Sequence, residues 1–232
     1  MARVCAALGV LVGAVLIAGF AEGATPRTGD QAEWDRPGES SVSVLFGGGW
    51  YDNEAFNDSL IAHDLAPIEN GFEYGLTFKY RISRWLSLGL EVSHLDGRSQ
   101  VQSATPGSGA EYSIAGTPIV VNAHVHAARV GNFGIEGFAG AGPLLGGRLR
   151  LDDEGGTLDA TGSGFYWHVG AEGEVRFGPS VALFLRGLVR RSEVNDLSFE
   201  DQLGNPATYD IDFNGHAIQF GPRWYFQTRP TP

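Results

Sequence analysis

The chain has 232 residues, a formal net charge of −11 at pH 7 and a single cysteine. An acidic chain of this kind is a poor partner for nucleic acid, whose phosphates are bound by clustered Lys and Arg. One cysteine excludes an intrachain disulfide framework, and the length suits one β-barrel or sandwich.

The N-terminus has the organisation of a secretory signal peptide. Arg3 precedes an apolar run from Val4 to Phe20, and small residues follow that run. We predict a cleaved signal peptide over residues 1–23 and a flexible periplasmic leader over residues 24–40. The alternative is an uncleaved anchor, because the apolar run reaches the lower limit of a membrane span. Cys5 lies inside this segment, so the predicted mature chain has no thiol.

Residues 72–82 alternate large apolar side chains with polar or charged ones. Because successive side chains of a strand point to opposite faces, one face is apolar and the other carries Glu73, Lys79 and Arg81. A strand of this length is about long enough to cross a bilayer at a tilt. The pattern predicts a strand with its apolar face towards lipid and its charged face towards a narrow lumen.

The same alternation recurs along the rest of the chain and predicts eight strands. The fifth is rich in Gly and Ala and has the weakest alternation. The predicted strands cover residues 41–50, 72–82, 86–93, 119–126, 133–145, 165–177, 181–190 and 218–226.

The connections between these strands fall into two classes. Short turns join the second strand to the third, the fourth to the fifth and the sixth to the seventh, at Ser83-Arg84, 128–132 and 178–180. The other connections are long and polar, which is typical of an outer-membrane barrel and unusual in a compact soluble domain. They cover residues 51–70, 95–112, 147–163 and 191–211.

The predicted fold class is therefore all-β. It is an eight-stranded antiparallel up-and-down transmembrane β-barrel with short periplasmic turns and long extracellular loops. The barrel is expected over residues 41–226, followed by a C-terminal tail over residues 227–232.

Charged residues divide between the predicted lumen and the predicted loops. Acids and bases nearly balance at the inward positions, as a buried network requires, because an unpaired buried charge is very costly. Most other acids fall in the long loops, so the excess negative charge is predicted to be a loop property. The predicted lumen residues are Glu73, Glu91, Glu136, Glu172, Glu174, Lys79, Arg81, Arg176, Arg186, Arg190 and Arg223.

With these strands, the hairpin from Tyr80 to Glu91 and the closing segment from Phe220 to Phe226, the chain resembles a known family. It is similar to small Gram-negative outer-membrane β-barrel proteins of the opacity-protein, OmpW and OmpA-barrel type. The resemblance rests on classes of residue and implies a porin-like barrel of the cell envelope, located in the cell outer membrane. In that family the assembly machinery reads an aromatic residue at the chain end, whereas here residues 227–232 follow Phe226.

His124 and His126 form the sharpest local motif for chemistry. Two His at i and i+2 on a strand share a face and can ligate one metal ion, with Glu136 expected opposite His126. His168 is expected on the order of 15–20 Å higher, at roughly 3.3 Å of rise per residue. We therefore predict polar residues that fill the lumen, and no metal site, cofactor site or catalytic residue.

Two further patterns are candidates for sites at the cell surface. Barrel enzymes that remove acyl chains from lipid A carry a His-x-Ser motif, and no His here has Ser two residues later. His94, with Asp96 close by, is the remaining candidate for a general base. The run Asp152-Asp153-Glu154 lacks the ligand spacing of a Ca²⁺ loop and is predicted to be solvated.

The prediction for function is a non-enzymatic, monomeric surface protein that acts through acidic extracellular loops. The expected partners are outer-membrane lipids and lipopolysaccharide, bridged by divalent cations, together with the assembly machinery. One alternative is an OmpW-like channel for small hydrophobic molecules, with a gap at the Gly-rich fifth strand. The others are a lipid A acyl enzyme and a soluble calycin-like barrel, which would bury its apolar side chains and face polar ones to water.

Overall fold

The computed structural model describes residues 37–52, 57–58, 67–102, 109–153, 156–200 and 206–227. The predicted signal peptide, most of the predicted leader and the end of the tail lie outside these residues. No helix in the described ranges is long and apolar enough to cross a membrane. The strands are β1 (Glu39–Tyr51), β2 (Asn70–Arg81), β3 (Leu86–Gln102), β4 (Gly109–Val130), β5 (Phe133–Asp153), β6 (Gly156–Arg176), β7 (Val181–Glu200), β8 (Pro206–Asp212) and β9 (Gly215–Gln227).

Eight antiparallel strands close into one barrel. Neighbours in sequence pair from β1 to β7, and β9 pairs with both β7 and β1. β8 pairs with the far end of β7, so β8 and β9 are two parts of the eighth strand, separated at Phe213 and Asn214. Gly215 has φ 140°, and a Cβ there would overlap the Trp50 carbonyl of β1. The predicted eight-stranded antiparallel barrel is confirmed.

Short turns close one end of the barrel at the three predicted places. In the β2–β3 turn, Ser83 Oγ accepts hydrogen bonds from the backbone N–H groups of Trp85 (3.2 Å) and Leu86 (3.1 Å). Gly131 and Gly178 occupy the other two turns with φ of 56° and 96°, a region that favours glycine. This end is the periplasmic end of the predicted orientation.

The outer face of the barrel is an apolar belt. On β2, Phe72, Leu76 and Tyr80 remain 54%, 56% and 43% exposed, although all three are large and apolar or aromatic. Every strand that closes the barrel contributes such side chains, and a continuous patch of this kind is unfavourable in water. Because a closed barrel also satisfies its backbone internally, this surface is suited to lipid and the chain is an outer-membrane type of barrel. The calycin-like alternative would need polar side chains on the outer face and apolar side chains inside, which is the opposite of this arrangement.

The strands continue well beyond the top of the apolar belt, which corrects the predicted loops. Segments 95–112, 147–163 and 191–211 were predicted as loops, but in the described residues they are mostly paired strand. By the bounds of the strands, the connection from β1 to β2, within predicted loop 51–70, has the most residues. We call the paired part of β3 to β8 above the belt the β-extension.

The β-extension keeps the alternation of the membrane strands but reverses its polarity. On β3, Leu90 and Val92 point outward in the belt, whereas Asp96 and Arg98 hold the same phase above it. The inward positions change in the opposite sense, and Leu95 is fully buried. The loop prediction was wrong because it assigned outward polar residues to unpaired chain. These residues belong to paired strands, and they are polar because water, not lipid, surrounds the wall above the belt.

An apolar cluster fills the inside of the β-extension, and we call it the upper core. Ile68, from the β1–β2 connection, joins it and is held by the side chain of Asn57. The Asn57 Oδ1 accepts the Ile68 N–H at 2.9 Å, and the Asn57 amide donates to the Ile68 carbonyl at 3.3 Å. The upper core consists of Tyr51, Ile68, Leu95, Ile114, Val120, Leu144, Leu149, Ala160, Tyr166, Val194, Leu197, Ile211 and Phe213.

One seam of the β-extension is closed by side chains instead of backbone hydrogen bonds. The β6–β7 ladder ends at Gly164 and Val194, whereas β7 continues to pair with β8 on its other edge. A Cβ placed on Gly162 would lie 2.9 Å from Val194 Cγ1 and 3.0 Å from Leu197 Cδ2. Glycine on β6 therefore allows β7 to pack tightly against it.

We expect Gly162→Val to loosen the β-extension while leaving the membrane strands folded. The added methyl groups would displace Val194 and Leu197, and overpacking of this kind costs about 1–3 kcal/mol. Hydrogen exchange should show faster exchange at the β6 and β7 amides above the belt.

Gly187→Val is the matched control, since a Cβ there meets nothing within 4 Å. This variant should exchange like the wild type. Equal exchange rates in Gly162→Val and Gly187→Val would contradict the tight packing of β7 against Gly162.

Candidate functional site

The lumen below the upper core is filled by charged side chains. All of the predicted lumen residues are buried, none more than 7% exposed. Glu39 joins them at 6% exposure, although the prediction assigned it to the flexible leader. Its phase with Ser41 and Ser43, which also point inward, was the signal that could have found it. Six acids therefore face six bases, and we call this set the ion column.

The periplasmic mouth is closed by an ion pair between the start of β1 and the end of β6. Arg176 Nη1 and Nη2 donate to the two oxygens of Glu39 at 2.8 and 2.9 Å. Arg81 lies 3.6 Å from Glu39, and Arg176 also donates to Glu174 at 3.0 Å. The Arg176 guanidinium stacks 3.5 Å above the Tyr225 ring. Glu39 thus ties the first barrel residues to β6.

Glu136 organises the next layer of the ion column. Its carboxylate accepts from Lys79 Nζ at 2.7 Å and lies 2.8 Å from His124 Nδ1 and 3.0 Å from His126 Nδ1. The predicted register of His126 opposite Glu136 is confirmed. His126 also shares a hydrogen bond of 2.8 Å with the Ser87 hydroxyl. Both imidazoles are thereby engaged by protein groups.

Glu91 and Arg186 form the centre of the ion column. Arg186 Nη1 and Nη2 donate to the two Glu91 oxygens at 2.9 and 2.7 Å, and Arg186 Nε donates to Gln219. The Asn122 amide donates to Glu91 at 3.3 Å. A bidentate Arg–carboxylate pair is the strongest geometry for such a contact.

His168 lies in this central layer and not beside Glu136. Its Nε2 is 2.6 Å from Asn122 Oδ1, and it pairs along the wall with Gly140. Gly140 is four residues above Glu136 on β5, which is roughly 13 Å at the usual rise per residue. The predicted separation was therefore slightly too large, but the predicted layering is correct. Within the described chain, no group of three or more His, Cys, Asp or Glu residues has an arrangement that could hold a metal ion.

Arg190 joins the ion column to the upper core. It donates to Glu73 and, at 3.0 Å, to the Phe213 carbonyl. Its guanidinium lies 4.8 Å from the Tyr51 ring centroid. Phe213, at the break between β8 and β9, therefore supplies a carbonyl acceptor to Arg190 at the upper end of the ion column.

The surface candidates are not assembled into a catalytic site. His94 Nδ1 lies 3.2 Å from Thr117 Oγ1, and its ring is 5.2 Å from the Tyr74 ring. Asp96 accepts from Arg98 Nη2 at 2.9 Å, and this hydrogen bond raises the pKa of Arg98. His94 and Asp96 thus have separate partners.

Two other sequence features have structural explanations. Asp152 and Asp153 belong to β5 and pair with β6, while Glu154 lies outside the described residues. The Gly-rich strand β5 pairs on both sides, so the gap proposed there is wrong. A Cβ on Gly140 would overlap the Asn122 amide, which shows that glycine makes room for the polar groups of the lumen.

We expect Glu91→Gln to destabilise the barrel by about 3–5 kcal/mol, because it leaves the buried Arg186 guanidinium without its charge partner. Urea unfolding from lipid vesicles measures this free energy. The double variant Glu91→Leu, Arg186→Met should lie closer to wild type than Glu91→Gln does.

Arg98→Gln provides the surface control, since the Arg98 side chain is 63% exposed. An exposed ion pair contributes less than about 1 kcal/mol. A Glu91→Gln variant as stable as Arg98→Gln would show that the ion column does not hold the barrel.

Comparison with known proteins gives similarity of fold without similarity of sequence. No protein-family model and no curated protein matches the chain. Ail, the attachment invasion locus protein of Yersinia pestis, has 11% identity and a TM-score of 0.49, covering 82% of this chain and 100% of Ail. A major outer membrane protein from Thermus thermophilus has 10% identity and a TM-score of 0.47, covering 81% and 99%. OprG, an outer membrane protein from Pseudomonas aeruginosa, has 12% identity and a TM-score of 0.45, covering 84% and 99%.

Proposed function

We propose that the protein is a non-conducting, non-enzymatic surface protein of the outer membrane. The observation that carries this proposal is the filled lumen. The ion column occupies the barrel from Glu39 to Arg190, and the upper core continues from there into the β-extension. A barrel of eight strands has an interior just wide enough for its own side chains, so this filling leaves no path for solutes.

The β-extension is the part of the molecule suited to recognition. It stands above the apolar belt as paired strand with its own buried core, so its outer residues are presented on a rigid wall. Outward positions there carry polar and charged groups such as Arg98, Glu111 and Asp159. Rigid presentation lowers the entropy lost on binding, which favours contact with other surface components.

We propose the following partners. The protein is proposed to act as a monomer, with outer-membrane lipids around the belt and lipopolysaccharide around the β-extension, bridged in part by divalent cations. The assembly machinery is the remaining partner. Phe226, at the end of β9, is 53% exposed on the outer face, where a recognition signal would be accessible before insertion.

We expect no stepwise conductance when the wild-type protein is inserted into planar bilayers. The Glu91→Ala, Arg186→Ala variant removes the central pair of the ion column and should admit water and small ions. Current recordings in concentrated KCl measure both proteins.

The Glu91→Ala, Arg186→Ala variant is the positive control. Current through this variant would show that the recordings detect an opened barrel, so that the absence of current through the wild type is informative. Defined conductance steps from the folded wild type would contradict the proposal. Retention of heat-modifiable mobility verifies that the variant is folded.

The second candidate function is passage of small apolar molecules. The upper core and the seam above Gly164 favour it, because an apolar molecule could displace Val194 and Leu197 there without breaking ladder hydrogen bonds. Titration with an apolar fluorophore tests this function, with Gly162→Val as the variant that displaces Val194 and Leu197 from the seam and Gly187→Val as its control. Saturable binding that Gly162→Val changes and Gly187→Val leaves unchanged would favour transport over the structural role.

A further inference from the structure

The upper edge of the apolar belt has one cationic position whose surroundings differ from those of the other arginines. Arg191 on β7 is exposed on the lipid-facing side of the wall, directly opposite Trp167 of β6. Below it on the same face lie only Val189, Gly187 and the apolar residues of the belt. A charge here sits where the hydrocarbon ends and the headgroups begin.

Arg191 differs from nearby surface arginines, which are bound by acidic side chains. Arg98 is bound by Asp96, and Arg148 donates through Nε to Asp159 at 2.8 Å. No ion pair of Arg191 is found in the described part of the chain, although the exposed Glu193 lies two positions further on the same face. An Arg at this depth extends its charged end towards the headgroups, which carry phosphate.

Aromatic groups flank Arg191 on both sides. Trp167 is 39% exposed on β6, and His216 is exposed on β9 opposite Val189, diagonal to Arg191. The His216 ring stacks on Trp50 with a centroid distance of 5.1 Å and an interplanar angle of 15°. Trp is enriched at membrane interfaces, where its N–H faces the headgroups. Arg191 thus has an aromatic side chain on each neighbouring strand, opposite it on β6 and diagonal to it on β9.

We propose that Arg191, with Trp167 and His216, binds a phosphate group of an outer-leaflet lipid. The planar guanidinium matches two phosphate oxygens, and neither Trp167 nor His216 brings a competing negative charge. The site fixes the height and rotation of the barrel in the leaflet. It rests on the proposed contact with outer-membrane lipids and deepens it, but it does not require the barrel to be non-conducting.

The test measures lipid binding to the folded full-length mature protein in detergent micelles by native mass spectrometry. The probe is a bisphosphorylated lipid A, and the reference is the same lipid with its phosphates removed. We expect Arg191→Gln to weaken binding of the phosphorylated lipid about tenfold, the order expected when one charge-assisted contact is lost. Binding of the dephosphorylated lipid should be unchanged.

Arg98→Gln is the matched control because it removes the same charge from an exposed arginine of the β-extension. It should change binding less than about twofold, as expected for a weak exposed pair. Arg191→Lys should retain part of the affinity, since it keeps the charge but loses the planar donor pair. Heat-modifiable mobility verifies folding of each variant.

Three outcomes would overturn the proposal. Equal loss in Arg191→Gln and Arg98→Gln would show a general effect of net charge. Equal binding of phosphorylated and dephosphorylated lipid would show that the acyl chains alone are bound. Binding of inorganic phosphate at Arg191 without preference for the lipid would show a site for free anions.

Discussion

The structure depends on electrostatic neutrality inside a wall that faces lipid. A charge in the barrel interior has little water around it, so each charged side chain needs a partner at contact distance. Glu39 with Arg176, Glu136 with Lys79, Glu91 with Arg186 and Glu73 with Arg190 satisfy this need at successive heights. The pairs also join strands far apart in sequence, so the same contacts that neutralise the lumen hold the barrel in one register.

The upper core follows from the change of solvent outside the wall. In the belt, apolar residues face lipid and the interior can be polar. Above the belt, water surrounds the wall, and the interior must become apolar if the extended strands are to remain folded. Arg190 marks the transition, because it binds Glu73 on one side and contacts the Phe213 carbonyl and Tyr51 ring on the other. The result is one continuous barrel with a polar lower and an apolar upper interior.

Much of this could be predicted from the sequence because strand alternation has a fixed period. The eight strands, the three short turns and every lumen charge from Glu73 to Arg223 follow from side-chain phase alone. The start of β1 was misplaced because Glu39 adjoins a polar segment, and its partner Arg176 is remote in sequence. The β-extension was missed because its polarity is reversed, and inward residues such as Ile114 and Leu197 are diluted by glycines that their packing requires. The seam above Gly164 depends on where the β6–β7 ladder ends, which no local pattern encodes.

The reversal of polarity across the upper edge of the belt is the central claim, and chemical labelling along β6 tests it most directly. Because the only cysteine lies in the predicted signal peptide, single cysteines can be placed in the mature chain without background. At Ser163, exposed on the outer face of the β-extension, a cysteine should react rapidly with a charged water-soluble thiol reagent. At Val169 in the belt and at Ala160 in the upper core, it should be protected, the first by lipid and the second by packing. Rapid labelling at Ala160 would mean that the β-extension encloses water, and would contradict the account.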